Sequence, residues 1–169
     1  MKSKITLLGH PIHPMLVVFP LGLFAASVIF DVLYISTRNF DLPTVSYYLI
    51  GAGLIGGLLA AIFGAIDWLG LPSNSRAWNL GIWHGIGNLL VVGLFLLSWL
   101  RRKDNLNFIP ENSALTLSLV GIGIALVTMW LGGELVYRLG VAVDQDANVN
   151  APNSLTKPSQ NPPSSVERT

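Results

Sequence analysis

Four apolar segments, each about 20 residues long or longer, dominate this sequence. An α-helix needs about 20 predominantly apolar residues to cross the roughly 30 Å hydrocarbon core of a bilayer. Because no water reaches backbone groups there, each segment must satisfy its hydrogen bonds internally, as a helix does. The sequence therefore predicts an all-α fold, a four-helix transmembrane bundle with helices at about residues 15–36, 46–68, 80–100 and 114–139.

The composition agrees with lipid as the solvent. Only 11% of the 169 residues are charged, whereas a soluble domain has about 25%. The formal net charge is only +1, so the chain lacks the excess of basic residues that is typical of nucleic-acid binding. The chain has no cysteine, which excludes disulfides, cysteine-ligated iron–sulfur clusters and covalently attached c-type haem. Any cofactor must be held by other side chains, histidine first among them.

The chain divides into a membrane domain over residues 1–143 and a polar tail over residues 144–169. Four of the ten prolines lie in the tail, and such a polar, proline-rich composition is typical of disorder. The first apolar segment follows Lys2 and Lys4 but is long and lacks a small-x-small cleavage site, so we predict an uncleaved first helix. Pro20 predicts a kink within it. Glycines in the other helices predict close helix packing, within one bundle or in a homo-oligomer.

Polar side chains concentrate at one end of the predicted bundle. Four crossings place both termini on the same side of the membrane, here called the near side. The near-side residues include every histidine of the chain. They are His10, His13, Asp67, His84, Asn88, Glu134, Tyr137 and Arg138. The opposite, far side carries its ionisable residues mostly in loops. These are Asp31, Arg38, Asp41, residues 101–104 and Glu111.

Ionisable side chains within membrane segments are costly and usually face an interior or a water-filled cavity. His84 and Glu134 lie about one helical turn inside their segments, and Arg138 can pair with Glu134 on one helix face. Three interpretations of the near-side group remain open. It can be a hydrogen-bond network that closes one end of the bundle, a site for a cofactor, metal or quinone, or part of a proton or ion path.

The three histidines point to a cofactor site, although no specific ligand motif marks it. His10 and His13 each precede a proline, which favours extended backbone, and Pro14 suits the first turn of the following helix. His84 with His10 or His13 matches the axial imidazoles of haem b, which needs an apolar slot between helices and no cysteine. A non-haem metal site is the alternative, with imidazoles, Asp67 and Glu134 as ligands. The sequence has no HExxH motif and no glycine-rich phosphate loop.

Several motifs are shared with a known group of membrane proteins. They are residues 9–14 (GHPIHP), Phe19-Pro20, Asp31, Gly64 with Asp67, His84 with Asn88, and residues 132–137 (GGELVY) followed by Gly140-Val141. Over about residues 5–145 the chain resembles the predicted membrane proteins of the domain-of-unknown-function 2231 family. Some relatives are fused to Rieske-type or cytochrome domains, which implies a role in membrane electron transfer. Since this chain has no cysteine for a Rieske cluster, that role would need a separate redox partner.

The leading hypothesis is a haem-b-binding or quinone-linked electron-transfer protein that uses His10, His13 and His84. The alternative is a non-catalytic membrane subunit or assembly factor whose polar residues only cap the bundle. A small transporter is a third hypothesis, weakened by the lack of an evident inverted repeat and by nearly uncharged helix centres. An enzymatic role would have to be a redox one.

The membrane orientation follows only from positive charge. Four Lys or Arg residues flank the helices on each side, so counting alone does not decide. The dense run at residues 101–103 favours a cytoplasmic far side. We therefore expect the near side, with both termini, to be non-cytoplasmic.

Overall fold

The computed structural model describes residues 3–155 and shows a bundle of four long helices. A short antiparallel hairpin, β1 (Thr6–Leu7) with β2 (His10–Pro11), precedes them. The helices are α1 (Ile12–Leu16), α2 (Val18–Thr37), α3 (Leu42–Trp68), α4 (Arg76–Leu100) and α5 (Asn112–Gly133). A 3₁₀ turn (Leu106–Phe108) precedes α5, and a π-helical turn (Glu134–Arg138) extends it. Four crossings are long and apolar enough to span a membrane, with α1 and α2 forming the first. The predicted fold is confirmed: this is an integral, multi-pass membrane protein.

The last three helices begin two to four residues earlier than predicted. Pro43 lies in the first turn of α3, where its missing N–H costs nothing because that group has no helical partner. Ser75 precedes α4 and its hydroxyl accepts a hydrogen bond from the Trp78 N–H at 3.1 Å, an ordinary N-cap. Polar helix ends thus extend beyond the apolar segments from which the helices were predicted.

The start of the first crossing corrects one prediction. His10 lies in β2, extended as expected, but His13 lies in α1 rather than in extended chain. Pro20 has no N–H to donate to the Leu16 carbonyl, and the helix breaks at Val17, between α1 and α2. The kink itself stays a prediction; the interruption at Val17 lies three residues before the proline. It separates the turn that carries His13 from the rest of the crossing.

The helices pair as two hairpins, since α2 packs mainly on α3 and α4 mainly on α5. Between them lies a buried apolar core. Its residues are Phe24, Ile50, Leu54, Val91, Phe95 and Ala125. The Phe24 and Phe95 rings stack with centroids 4.0 Å apart. Gly53 and Gly121 make room for them: a side-chain carbon there would lie 2.6 Å from Phe24 Cε1 and 2.9 Å from Phe95 Cε2.

The polar tail follows a turn at Gly140, whose φ of +64° suits glycine. Residues 144–155 form no helix or strand and contain turns held by their own side chains, such as the Asn150 N–H donating to Asn148 Oδ1. Disorder is predicted for residues 144–169. Residues 156–169 of that range lie outside the described residues.

Candidate functional site

Two histidines from different hairpins meet at the near end. The rings of His13 and His84 have centroids 6.5 Å apart and stand almost perpendicular, at 89°. His13 Nδ1 lies 2.8 Å from the Ala60 carbonyl oxygen, and His84 Nδ1 lies 2.9 Å from that of Thr128. Because a carbonyl only accepts, each Nδ1 must carry the proton, and each neutral ring then presents Nε2 as an unprotonated acceptor.

Asn88 supports one of the two rings. Its side-chain amide donates to the His84 carbonyl at 2.8 Å and to His84 Nε2 at 3.2 Å. The Thr128 hydroxyl in turn donates to Asn88 Oδ1 at 3.1 Å. His84 therefore has a partner at both ring nitrogens. His13 Nε2 has none among residues 3–155.

Glycines bring both rings against bare helix backbone. A side-chain carbon at Gly64 in α3 would lie 2.8 Å from His13 Cε1, and one at Gly132 in α5 would lie 3.1 Å from His84 Cε1. Residues four apart share a helix face. Gly64 is therefore directly above the Ala60 carbonyl that His13 uses, and each imidazole is held by one carbonyl and one glycine of its own hairpin.

The other predicted near-side residues do not join this pair. His10 is exposed in the N-terminal β-hairpin, where its Nε2 lies 3.4 Å from the Ser154 hydroxyl. Asp67 Oδ1 accepts from the Ser3 hydroxyl at 2.6 Å and from the Lys4 N–H at 3.1 Å. Asp67 thus fixes the N-terminal segment rather than facing the imidazoles.

A third group forms at the end of α5. Arg76 Nη2 donates to Glu134 Oε2 at 2.8 Å, and Arg138 Nε lies 4.0 Å from Glu134 Oε1. Tyr137 is 88% exposed. Within residues 3–155, no three His, Asp or Glu side chains gather as a metal site would require. Of the eight predicted near-side residues, the structure brings together His13, His84 and Asn88. The other five lie outside this group, although Glu134 and Arg138 lie near each other.

The far end holds a buried ion pair that the sequence reasoning missed. Arg102 Nη1 and Nη2 donate to Asp31 Oδ1 and Oδ2, both at 2.7 Å. The arginine side chain is 0% and the aspartate 2% exposed. One signal was available, because Asp31 lies within the first apolar segment and an ionisable residue there needs a partner. Arg102, in contrast, cannot be distinguished from its basic neighbours in a predicted loop.

Serine hydroxyls complete the surroundings of this guanidinium. Ser46 accepts from Nη1 at 3.1 Å, Ser118 from Nη2 at 3.2 Å, and Ser98 from Nε at 3.3 Å and from Nη2 at 3.2 Å. Every nitrogen of Arg102 therefore has a partner. A buried charge is tolerated only with such complete hydrogen bonding.

Two small cavities lie outside the imidazole pair. One is lined near the N-terminus by Lys4, Asp67 and Val141 among others. The second lies between α2 and α5, beside Asp31 and Ser118. Neither is lined by His13 or His84; these two rings pack against the helix backbone at Gly64 and Gly132.

Comparison with known proteins gives a family match. The family model described as "Predicted membrane protein (DUF2231)" matches residues 9–145 of this chain, which include both histidines of the pair and both residues of the buried ion pair. No curated protein and no solved structure matches the chain.

Proposed function

This chain belongs to the DUF2231 family of predicted membrane proteins, and we propose that it is a membrane electron-transfer protein whose His13 and His84 bind a haem b iron. The observation that carries the proposal is the bond from each Nδ1–H to a backbone carbonyl, at 2.8 and 2.9 Å. Metal-ligating histidines almost always donate their second ring nitrogen in this way, which fixes the ring and leaves Nε2 for the metal. His10 makes no such bond, so we omit it from the pair.

The number of donors favours haem over a bare ion. A structural zinc site takes four protein ligands, and no third His, Asp or Glu joins this pair within residues 3–155. A haem iron needs only one or two axial ligands from the protein, since the porphyrin supplies the others. Two imidazoles, one from each hairpin and 6.5 Å apart, are a sufficient set of protein ligands for such an iron.

The contacts of the two rings set a condition on this proposal. A porphyrin needs an apolar slot, and the cavities at the two ends of the bundle do not adjoin the rings. Binding therefore requires the two hairpins to part at the near end and Asn88 to release His84 Nε2. The bonds to Ala60 and Thr128 lie within each hairpin and can survive that movement.

His13 and His84 would hold the group through Nε2, and the Ala60 and Thr128 carbonyls would keep the proton of each ring on Nδ1. Bound haem would supply one-electron chemistry. Its place at one membrane face suits exchange with a separate redox partner protein or with a quinone in the lipid. We propose that this face, with both termini, is non-cytoplasmic, because the basic run at residues 101–103 lies at the other face.

The test is a visible absorption spectrum of the detergent-purified protein from its native membrane, oxidised and then reduced with dithionite. We expect a Soret band and a sharp reduced α-band, both lost or strongly shifted in His13→Ala and His84→Ala. His10→Ala is the matched control and should leave the bands unchanged. A featureless spectrum of the unaltered protein would overturn the haem proposal.

One observation favours a second function, that of a non-catalytic membrane subunit. The Asn88 amide already occupies His84 Nε2, so the near-side network is nearly complete without a ligand. This alternative predicts a colourless, metal-free protein that copurifies with a larger assembly. Metal analysis of the same preparation distinguishes the two, because only the first requires iron.

A further inference from the structure

The two hairpins carry the same sequence pattern. Residues 22–27 read GLFAAS and residues 93–98 read GLFLLS, 71 positions later. The same spacing of 71 separates Asp31 from Arg102, and it separates His13 from His84. The first helix of each hairpin thus aligns without a gap from its histidine to its buried charge.

The second helices align as well, with a spacing of 68. This relates Gly53 to Gly121 and Gly64 to Gly132. The spacing falls from 71 to 68 because the two helices of the second hairpin are joined by a shorter connection. His13 and Ala60 are 47 positions apart in the first hairpin, whereas His84 and its partner Thr128 are 44 positions apart in the second. The second hairpin therefore has a connection three residues shorter than the first.

Aligned positions make the same contacts. The histidine of each hairpin bonds the carbonyl at the aligned position of its second helix, and each core phenylalanine packs on the aligned glycine. Ser46 Oγ donates to the Ser27 carbonyl at 3.0 Å, and Ser98 Oγ donates to the Ala114 carbonyl at 2.8 Å. Position 114 aligns with Ser46, and position 98 aligns with Ser27. The same two positions are therefore bonded in both hairpins, but the donor lies on the second helix in the first hairpin and on the first helix in the second hairpin.

We infer that the membrane domain is a tandem duplication of one two-helix unit, whose copies are related by an approximate two-fold axis along the helices. Aligned residues face each other across this axis. His13 faces His84 at the near end, Phe24 stacks on Phe95 in the middle, and Asp31 pairs with Arg102 at the far end. Both copies run in the same direction, which is the parallel kind of repeat found in membrane proteins.

The far-end pair is then a positioning pair that specifies which copies meet. On a two-fold axis between identical units, a residue meets its own equivalent. Two aspartates or two arginines could not be buried there, because each would lack a neutralising partner. Opposite charges at the aligned positions allow a first hairpin to join only a second one. Asp31 and Arg102 thus bring His13 and His84 together, whether or not the histidines bind a metal.

Charge exchange in the full-length, detergent-purified protein tests the duplication. Asp31→Arg and Arg102→Asp each place like charges in a buried site, and each should lower Tm by on the order of 10 °C. The double variant D31R/R102D should recover part of that loss, because opposite charges meet again and Ser27 lies four residues before position 31, as Ser98 lies before position 102. Recovery should be incomplete, since the positions aligned with Ser46 and Ser118 are Ala114 and Ile50. A double variant no more stable than the single ones overturns the inference.

The two serines give a second readout that a plain ion pair would not change. In the native protein the Ser98 hydroxyl accepts from the guanidinium, while the Ser27 hydroxyl donates to the Phe24 carbonyl and has no bond to the ion pair. Ser98→Ala should therefore lower Tm more than Ser27→Ala. In D31R/R102D the order should reverse, since the arginine now follows Ser27. An unchanged order in the exchanged protein contradicts the two-fold relation. These Tm values do not depend on haem. They therefore test the duplication separately from the absorption spectrum, which tests the haem proposal.

Discussion

The near and far ends of the bundle hold aligned residues in opposite ways. At the far end Asp31 and Arg102 are fully buried and bond directly to each other, which joins the two hairpins. At the near end His13 and His84 are half-buried, and each bonds the backbone of its own hairpin rather than the other ring. The far end therefore fastens the hairpins together, and the near end only apposes them. A ligand that enters between the hairpins would enter at the near end.

The largest effect should come from breaking the far end. Asp31→Asn keeps the shape of the side chain but leaves Arg102 as a buried charge without a counter-ion, which costs about 3–5 kcal/mol. We expect that loss in the free energy of unfolding, measured by thermal or denaturant unfolding in detergent. His13→Ala should cost clearly less. Equal losses at the two ends would contradict the view that the far end is the fastened one.

Substitution of the glycines beside the imidazoles should have the next largest effect on stability. Gly64→Ala places a carbon 2.8 Å from His13 Cε1, and overpacking of this kind costs about 1–3 kcal/mol. Gly132→Ala, with a distance of 3.1 Å to His84 Cε1, should cost less than Gly64→Ala. Gly123→Ala is the matched control in α5, since it meets nothing within 4 Å, and it should be neutral or slightly stabilising. The three Tm values check this order.

A smaller loss should follow from the polar support of the near end. Thr128→Val removes the hydroxyl, whose single hydrogen can go to Asn88 Oδ1 at 3.1 Å or to the Ala125 carbonyl at 3.0 Å, but keeps the backbone carbonyl that His84 uses. Loss of one such bond costs about 1 kcal/mol. Thr116→Val is the control, because its hydroxyl bonds only its own helix at Asn112. If Thr128→Val were as mild as Thr116→Val, Asn88 would not depend on Thr128 for its orientation.

The exposed near-side ion pair should matter least. Arg76 is 60% exposed in its contact with Glu134, and pairs of this kind contribute less than about 1 kcal/mol. Arg76→Ala should lower Tm only slightly. The difference should shrink further in high salt, which screens exposed charges. A salt-independent loss as large as that of Asp31→Asn would place the fastening contact at the near end.

Hydrophobic length and pattern predicted the four crossings because burial in lipid leaves a long apolar signal for each helix. The placement of His13 and His84 at the same end of the bundle was also within reach of the sequence, since counting crossings assigns both to one side. The separation of His10, Asp67 and Glu134 was not, because a shared membrane face says nothing about angular position around the bundle. These three residues have other partners: His10 lies beside the Ser154 hydroxyl, Asp67 accepts from the Lys4 N–H, and Glu134 accepts from the Arg76 guanidinium.

The ion pair shows a different limit. Arg102 follows α4 and turns back into the bundle between helices, and nothing in the basic run at residues 101–103 marks which member does so. Recognition of the repeat would have marked it. Alignment of the two hairpins pairs Asp31 with Arg102, and an acid within an apolar segment requires such a partner.

The π-helical turn at the end of α5 sets the tolerance of the chain to changes in length. The Leu139 N–H donates to the Glu134 carbonyl five residues back, at 3.1 Å, so this turn holds one residue more than an α-turn. Deletion of one residue within Glu134–Arg138 can be absorbed by a return to α-helical bonding. A deletion between Asn112 and Gly133 would instead rotate every later side chain by about 100°. Single-residue deletions should therefore be tolerated within this last turn, whereas deletions in the first half of α5 should prevent folding, because they turn the side chains that follow away from the core.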